Sequence, residues 1–319
     1  MSAFAFVFPG QGSQSVGMGS ALAAASPAAA AVFAAADEAL GEPISRLAWE
    51  GPAETLNLTE HAQPALLATS IAYLTVLRER WAAQAAGGGE PAPEPLFAAG
   101  HSMGQYSAFV AAGALSLADG LRLVRERGRL MQASGSGREG RMAALIGLDD
   151  ARLPELVAGA SAHGVFGVAN RNAPGQVVVS GERAAVEAGI ELARTLGARR
   201  AIELPVSVAA HSPLMAEAAD RMAAVLAEVT FRDPHPAGLA NADARPITTA
   251  AEARSELVDH LTTGVDWIRA VEAMAAAGVT TFIEIGPGRV LTGLTSRIVP
   301  EATAIATDSP TNPDGIAVP

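Results

Sequence analysis

The chain contains no cysteine in 319 residues. This absence excludes disulfides, thiolate metal sites and a cysteine nucleophile, so we expect a serine to carry any covalent nucleophilic catalysis. Long apolar runs are also missing, because glycine, proline or charged residues interrupt each run well before the ~20 residues needed to cross a bilayer. We therefore expect no transmembrane segment and no membrane partner.

Positive charge is scarce, both at the N-terminus and in the chain as a whole. The first residues lack the basic region of a secretory signal, and their apolar run meets Pro9 and Gly10 too early for one, so we expect a first buried strand and a cytoplasmic location. With 22 basic and 33 acidic side chains, the net charge is −11. This balance disfavours non-specific nucleic-acid binding, which depends on neutralising phosphates.

The apolar pattern predicts an α/β fold. Strand-like runs at 4–8, 96–99 and 281–285 alternate with long Ala/Leu helical patterns, which is typical of a parallel sheet covered by helices. The segment 82–95 is dense in glycine and proline and has no periodicity, so it is predicted to be a surface loop.

Residues 138–205 have a pattern of their own. Strands are predicted at 142–147, 165–169, 176–180 and 199–204, with helices at 150–160 and 182–196. This β-α-β-β-α-β order is typical of a ferredoxin-like unit. We therefore predict a discontinuous large subdomain (1–137 and 206–300), an inserted small subdomain (138–205) and a poorly ordered tail (301–319).

The most informative motif is Gly-His-Ser-Met-Gly at 100–104, between the predicted strand 96–99 and a helix predicted over 105–114. Glycines on both sides of Ser102 permit the tight, strained turn that exposes a nucleophilic hydroxyl. The backbone N–H of Met103 and the helix N-terminus would face an oxyanion on the attacked carbonyl. A chance pattern in a loop is the alternative.

His211 has the most informative setting of the six histidines. Ser212 suits an N-cap and Pro213 the first helical position, so His211 should lie just before a helix N-terminus. The positive end of a helix favours the neutral imidazole that a general base requires. A structural histidine is the alternative.

Arg127 is predicted to point inward from a helix over 117–132. With 100° per residue, apolar side chains flank it within about 60° on both sides, whereas Arg122, Arg125 and Arg129 fall on the opposite face. A buried guanidinium needs an anion or strong acceptors. The sequence leaves two partners open: a buried glutamate, or the carboxylate of a substrate.

The segment 9–14, Pro-Gly-Gln-Gly-Ser-Gln, is a glycine-rich turn after the first strand. Its spacing does not fit a dinucleotide-binding loop, because Ser15 stands where the third glycine belongs. At the C-terminal edge of a sheet it could instead supply a second oxyanion donor from the backbone of Gln11.

These motifs together resemble malonyl-CoA:acyl carrier protein transacylases, including the stand-alone acyltransferases of polyketide pathways. The resemblance extends over nearly the whole chain, through the blocks 8–14, 63–67, 100–108, 127–128, 172–176, His211 and 284–288. It implies a hydrolase-like α/β core with an inserted ferredoxin-like subdomain and an active-site gorge between them.

At the positions that match the family pattern, the resemblance implies that Ser102 is the nucleophile, that His211 is its base and that Arg127 binds the malonyl carboxylate. It also implies an oxyanion hole from the backbones of Gln11 and Met103, and it places Gln63, His101 and Asn172 as candidates for the gorge lining. No metal and no cofactor is implied, since the coenzyme A thioester is a substrate.

At one position the chain departs from the family pattern, with His260 where a glutamine is usual. In the family this residue orients the catalytic histidine through its main-chain carbonyl. A different side chain there need not destroy the Ser-His pair, but it could alter the pKa or the acyl preference. A surface position on a helix is an equal alternative for His260.

The expected activity is transfer of a malonyl or related dicarboxylic acyl group from coenzyme A to the phosphopantetheine thiol of an acyl carrier protein, through an acyl-serine. An acyl-carrier thioesterase or editing hydrolase is the second interpretation, and a non-catalytic carrier-docking module the third. Because carrier proteins are acidic in this family, a basic patch is expected near the gorge, with candidates Arg171, Arg289 and Arg297.

Overall fold

The computed structural model describes residues 3–88, 94–134, 139–206 and 208–308. Within these ranges the helices are α1 Ser20–Ala25, α2 Pro27–Leu40, α3 Ile44–Glu50, α4 Ala53–Leu56, α5 Thr59–Ala86, α6 Gly104–Ala111, α7 Leu117–Ser134, α8 Leu153–Ala160, α9 Arg183–Thr195, α10 Ala216–Ala227, α11 Ala250–Asp259, α12 Trp267–Ala276 and α13 Val290–Ile298. The strands are β1 Phe4–Phe8, β2 Phe97–Gly100, β3 Gly140–Ile146, β4 Phe166–Ala173, β5 Gln176–Glu182, β6 Arg200–Glu203, β7 Gly238–Leu239, β8 Pro246–Ile247, β9 Val265–Asp266, β10 Thr281–Glu284 and β11 Thr303–Ala306.

The central sheet is parallel, in the order β11-β10-β1-β2. Phe4, Phe6 and Phe8 point to the face that carries α5, α6 and α7, while Ala5 and Val7 point to the face covered by α12 and α13. Because both faces are buried, β1 is apolar throughout and does not alternate with polar residues. The predicted strand 4–8 and the predicted α/β class with a parallel sheet are confirmed.

A second sheet has the order β6-β3-β5-β4-β9. β3 pairs antiparallel with β5 and β6, and β4 pairs antiparallel with β5. Helices α8 and α9 contact this sheet and share an apolar core with it. The chain order β3-α8-β4-β5-α9-β6 is the predicted one, but β9 comes from outside 138–205 and extends the sheet parallel to β4.

Two predicted irregular segments contain regular structure. Strand β11 pairs with β10, and the Tyr73 hydroxyl donates a 2.8 Å hydrogen bond to Asp308, so the prediction of a poorly ordered tail is wrong for 301–308. The rest of that tail, 309–319, lies outside the described residues. Helix α5 continues to Ala86 because alanine favours helix, which corrects the loop predicted from residue 82. Of that loop, 89–93 also lie outside the described residues.

Helix α5, with 28 residues, packs closely against α7 and thereby sets the position of Arg127. A Cβ added at Gly128 would lie 2.6 Å from Glu60 Cα and 2.8 Å from Thr59 O. Both neighbours are backbone, so they cannot rotate away as a side chain would.

None of the helices in the described ranges combines the length and apolar character needed to cross a membrane.

We therefore expect Gly128→Ala to lower the free energy of unfolding by about 1–3 kcal/mol through overpacking. The matched control is Gly293→Ala in α13, where an added Cβ would meet nothing within 4 Å. The control should be neutral or stabilising by about 0.5–1 kcal/mol, because alanine favours helix over glycine. Urea unfolding measures both variants, and equal stability of the two would contradict the close α5–α7 packing.

Candidate active site

Ser102 lies on a sharp turn between β2 and α6, as the motif predicts. Its φ is 53°, in the left-handed region that non-glycine residues rarely adopt. A Cβ at Gly100 would lie 1.9 Å from the carbonyl carbon of Gly104, and one at Gly104 would lie 2.2 Å from Phe8 O. Both glycines are therefore needed for β2, the turn and α6 to pack this closely.

Asn241, whose role the sequence does not indicate, hydrogen-bonds to the backbone of the turn at Ser102. Its side-chain oxygen accepts a 2.8 Å hydrogen bond from the backbone N–H of Ser102, and its amide donates to Gly100 O at 3.1 Å. It is 4% exposed and also donates to Gln105 Oε1. An asparagine soon after a two-residue strand is ordinary turn composition, so the sequence carries no signal of this role.

His211 faces the Ser102 hydroxyl, with Nε2 at 2.8 Å from Oγ. Its Nδ1 lies 2.6 Å from the main-chain oxygen of His260 and 3.1 Å from that of Thr263. Two carbonyl acceptors place the ring proton on Nδ1, which leaves Nε2 free to accept the hydroxyl proton. The geometry is that of a general base beside a nucleophile.

The imidazole of His211 is neutral for a different reason from the one predicted. Burial and the nearby Arg127 cation lower the pKa of His211 to about 3. Ser212 caps a 3-10 turn, Pro213–Met215, ahead of α10, so the predicted cap is present. Desolvation is nevertheless the main cause of the neutral form.

Arg127 is buried beside the same serine, at 1% exposure. Its Nη1 donates to Gln63 Oε1 at 3.0 Å and its Nη2 to Ser102 Oγ at 3.2 Å, and Nη2 also lies 3.2 Å from His260 Nε2. Within the described ranges these partners are neutral, and Nε has no partner. Burial lowers the pKa of the guanidinium, but arginine stays charged.

Of the two partners that the sequence left open for Arg127, the buried glutamate can be checked against the structure. No ion pair among the described residues includes Arg127, so a buried glutamate partner is not observed there. Burying a cation without an anion costs several kcal/mol. The guanidinium is therefore available to an anionic group that enters from the cavity.

The other arginines of α7 lie away from this site. The side chains of Arg122 and Arg129 are 61% and 59% exposed, as the helical periodicity predicts. Arg125 departs from the prediction of a solvated side chain, because it is 16% exposed and paired with Glu42.

His260 is fully buried, so the surface alternative for it is wrong. Its Nδ1 lies 2.8 Å from the main-chain oxygen of Glu256, and its Nε2 faces Arg127. Burial and the Arg127 cation hold the pKa of His260 well below the usual 6.5. Main chain and side chain of this residue thus contact two different parts of the site.

A cavity of about 490 Å³ opens at Ser102, between the parallel sheet and the second sheet. Gln63 does not line it but lies fully buried against Arg127, which corrects the predicted lining. His101 and Asn172 do line it, with Nε2 at 2.8 Å from Oδ1. The lining residues are Gln11, Gly12, Gln14, Asn57, His101, Ser102, Arg127, Met131, Met142, Asn170, Asn172, Val178, Leu204, Pro205, Val206, Val208, Ala210 and His211.

The two predicted oxyanion donors come from different segments: Met103 follows Ser102 directly in the chain, and Gln11 lies in the loop after β1. Gln11 lines the cavity, and Met103 is the N-cap residue of α6. Among the described residues neither backbone N–H has a hydrogen-bond acceptor. Both N–H groups are therefore free to donate to an oxygen placed near Ser102.

Two of the three candidate docking arginines already have partners. Arg171 pairs with Asp150 at 2.7 Å and with Asp266 at 3.4 Å, so two carboxylates lie beside its charge. Arg297 donates to Pro174 O at 2.8 Å.

In the described ranges no three His, Asp or Glu side chains cluster in a way that could hold a metal ion.

Comparison with known proteins shows which class of protein this chain belongs to. The model of the acyl transferase domain family matches residues 5–308. The chain is 46% identical over 310 residues to the malonyl CoA-acyl carrier protein transacylase of Escherichia coli K12, covering 97% of each chain.

Solved structures agree with the family match. An acyl carrier protein S-malonyltransferase from Vibrio cholerae superposes with a TM-score of 0.91 at 41% identity, covering 99% of this chain and 100% of that one. A malonyl-transacylase in complex with a type II PKS acyl-carrier protein gives a TM-score of 0.89 at 41% identity, with 97% of each chain covered. The chain belongs to the malonyl-CoA:acyl carrier protein transacylase family of acyltransferases.

The pKa of His211 predicts a measurable pH dependence. The unfolded chain binds a proton on this histidine near pH 6.5, whereas the folded state does so only near pH 3. Its contribution to the free energy of unfolding should therefore fall as the pH drops from 6.5 towards 3 and stay constant above that range.

In an NMR titration, the ring signals of His211 should show no protonation between pH 8 and pH 5. Loss of these signals in His211→Asn assigns them, and the urea-unfolded chain is the control, since its histidines titrate near 6.5. A midpoint near 6.5 for His211 in the folded protein would contradict its desolvated environment.

Proposed function

We propose that this protein transfers a malonyl group from coenzyme A to the phosphopantetheine thiol of an acyl carrier protein, with Ser102 as the acylated residue. One observation carries the proposal: the Ser102 hydroxyl lies 2.8 Å from the bare nitrogen of a neutral histidine and 3.2 Å from a buried cation that has no counter-ion. The first contact suits nucleophilic attack and the second suits a substrate that carries a carboxylate.

In the first half-reaction, His211 Nε2 takes the hydroxyl proton while Ser102 Oγ attacks the thioester carbonyl carbon. The backbone N–H groups of Gln11 and Met103 donate to the oxyanion that forms. Collapse breaks the carbon–sulfur bond, the thiolate of coenzyme A takes the proton from His211, and the acyl group remains on Ser102 as an ester.

In the second half-reaction, His211 deprotonates the phosphopantetheine thiol, which attacks the ester. The proton returns to Ser102 as the ester bond breaks. One thioester replaces another, so the overall equilibrium should be nearly balanced. The hydrolase alternative, in which water attacks the ester, is not favoured, since the relatives described above are named as a transacylase and a malonyltransferase.

Selection of the acyl group rests on Arg127. A malonyl carboxylate would supply the missing negative charge, and a planar guanidinium can bind it through two N–H groups. Gln63 and His260 contact the guanidinium and do not line the cavity. An acetyl group would leave the buried cation without an anion.

We also propose a finer architecture for the fold. The strand order β6-β3-β5-β4 with α8 and α9 on one side supports a ferredoxin-like small subdomain inserted in a hydrolase-like core. Strand β11 would then belong to the large subdomain. The cytoplasmic location and the absence of a cofactor stay predictions from the sequence.

Ser102→Ala should abolish malonyl loading, because it removes the only proposed acceptor atom. Intact-protein mass spectrometry after incubation with malonyl-CoA measures the adduct. The control is Ser107→Ala, which changes a buried serine of α6 whose hydroxyl has no partner in the described ranges. Addition of holo-carrier protein should move the malonyl group to the carrier. Release as free malonate instead would support the hydrolase, and loading of Ser102→Ala would contradict the proposed nucleophile.

Arg127→Ala should lower malonyl loading by about 100-fold, the scale of a lost charge-assisted hydrogen-bond pair, while acetyl loading is retained or increased. Arg129→Ala, on the exposed face of α7, is the matched control and should leave both rates unchanged. Time courses with malonyl-CoA and acetyl-CoA give the two rates. An equal loss of the loading rate with both donors would show that Arg127 does not bind the substrate carboxylate.

A further inference from the structure

The side chain of His260 contacts Arg127 and is distinct in role from its main chain. Its Nε2 lies 3.2 Å from Arg127 Nη2, and its Nδ1 lies 2.8 Å from Glu256 O. A carbonyl oxygen can only accept, so Nδ1 carries the ring proton and donates to Glu256. Nε2 is then an acceptor and receives an N–H from the guanidinium.

We propose that the His260 side chain is a positioning residue for acyl selection, which holds the Arg127 guanidinium in register with Ser102 by accepting one of its N–H groups. This inference rests on the proposed function of Arg127 as the ligand of the substrate carboxylate. It adds a role that the main-chain carbonyl of His260, which accepts from His211, does not supply.

The contacts of Arg127 explain why an acceptor is needed at this place. Gln63 fixes Nη1 on one side, and Ser102 Oγ is the only other acceptor for Nη2 in the described part of the chain. When Ser102 becomes an ester, that oxygen loses its proton and its freedom to rotate. The His260 contact is unaffected by acylation and therefore keeps Nη2 in place through both half-reactions.

The surroundings of His260 fix its ring. It is fully buried at the C-terminal end of α11, and its ring meets the Tyr106 ring edge-on at a centroid distance of 6.0 Å. Tyr106 also lies 6.0 Å from Arg127 Cζ. A charged ring would place a second cation beside Arg127, so the acceptor role requires the neutral form, in which burial keeps it.

The experiment compares side chains that accept a hydrogen bond with one that does not, leaving the main-chain carbonyl in place. His260→Gln retains an acceptor, and His260→Leu removes it. For each variant, the rate constants of Ser102 loading are measured with malonyl-CoA and with acetyl-CoA, and their ratio is the readout. His163→Leu, at an exposed histidine in the 3-10 turn Ser161–His163, is the control.

We expect the malonyl-to-acetyl ratio to fall about tenfold or more in His260→Leu, the size of a hydrogen bond to a charged group, and to stay within about twofold of the parent in His260→Gln. In an Arg127→Ala background, His260→Leu should not change the ratio further, because the two residues act through one contact. An equal loss of both rates, or an unchanged ratio, would overturn the positioning role.

The ring tautomer gives a test that needs no activity from a variant and no acyl-CoA. Nitrogen-15 NMR of the parent protein, with His260 assigned by loss of its signals in His260→Gln, should show a proton on Nδ1 and none on Nε2. A proton on Nε2 would overturn the inference, because that nitrogen could not accept from Arg127. If the parent protein does not load malonyl at all, the proposed function fails, and the tautomer still decides the contact.

Discussion

The site depends on one buried positive charge surrounded by neutral groups. Arg127 is almost fully removed from water, yet its contacts in the described ranges are an amide oxygen, a hydroxyl, an imidazole nitrogen and the face of a phenol ring. Such an arrangement is unfavourable for folding and favourable for binding an anion, because the cost of removing the cation from water has already been met. The close approach of α5 to α7 holds the arginine in that position.

The base and the arginine are connected through one residue at the end of another helix. His260, directly after α11, supplies a main-chain acceptor to the base and a side-chain acceptor to the cation. A single backbone position thus contacts both His211 and Arg127. On the proposed role of His260, a different side chain at this position would change acyl selection while the main-chain contact to the base is kept.

Much of this arrangement can be predicted from the sequence where the signal is local. The sharp turn at Ser102 follows from the glycine spacing around it, and the inward direction of Arg127 follows from helical periodicity. Strand β1 is found because a strand buried on both faces is apolar at every position. These features depend only on residues within about one helix or one turn of each other.

The features that sequence alone did not give depend on contacts between distant segments. Asn241 lies 139 residues from the serine whose N–H it accepts, and Gln63 lies 64 residues from the arginine that it holds. Strand β11 forms by pairing with β10 at an edge of the parallel sheet. No periodicity reports such pairings.

The contact between Arg127 and the Ser102 hydroxyl has a consequence for the enzyme at rest. An N–H directed at the oxygen lone pairs withdraws electron density from the nucleophile, and the same cation weakens His211 as a base. A bound carboxylate draws that N–H to itself and neutralises the cation. A donor with a carboxylate would therefore raise the nucleophilicity of the hydroxyl that it acylates. Water and thioesters without a carboxylate would meet a less reactive hydroxyl.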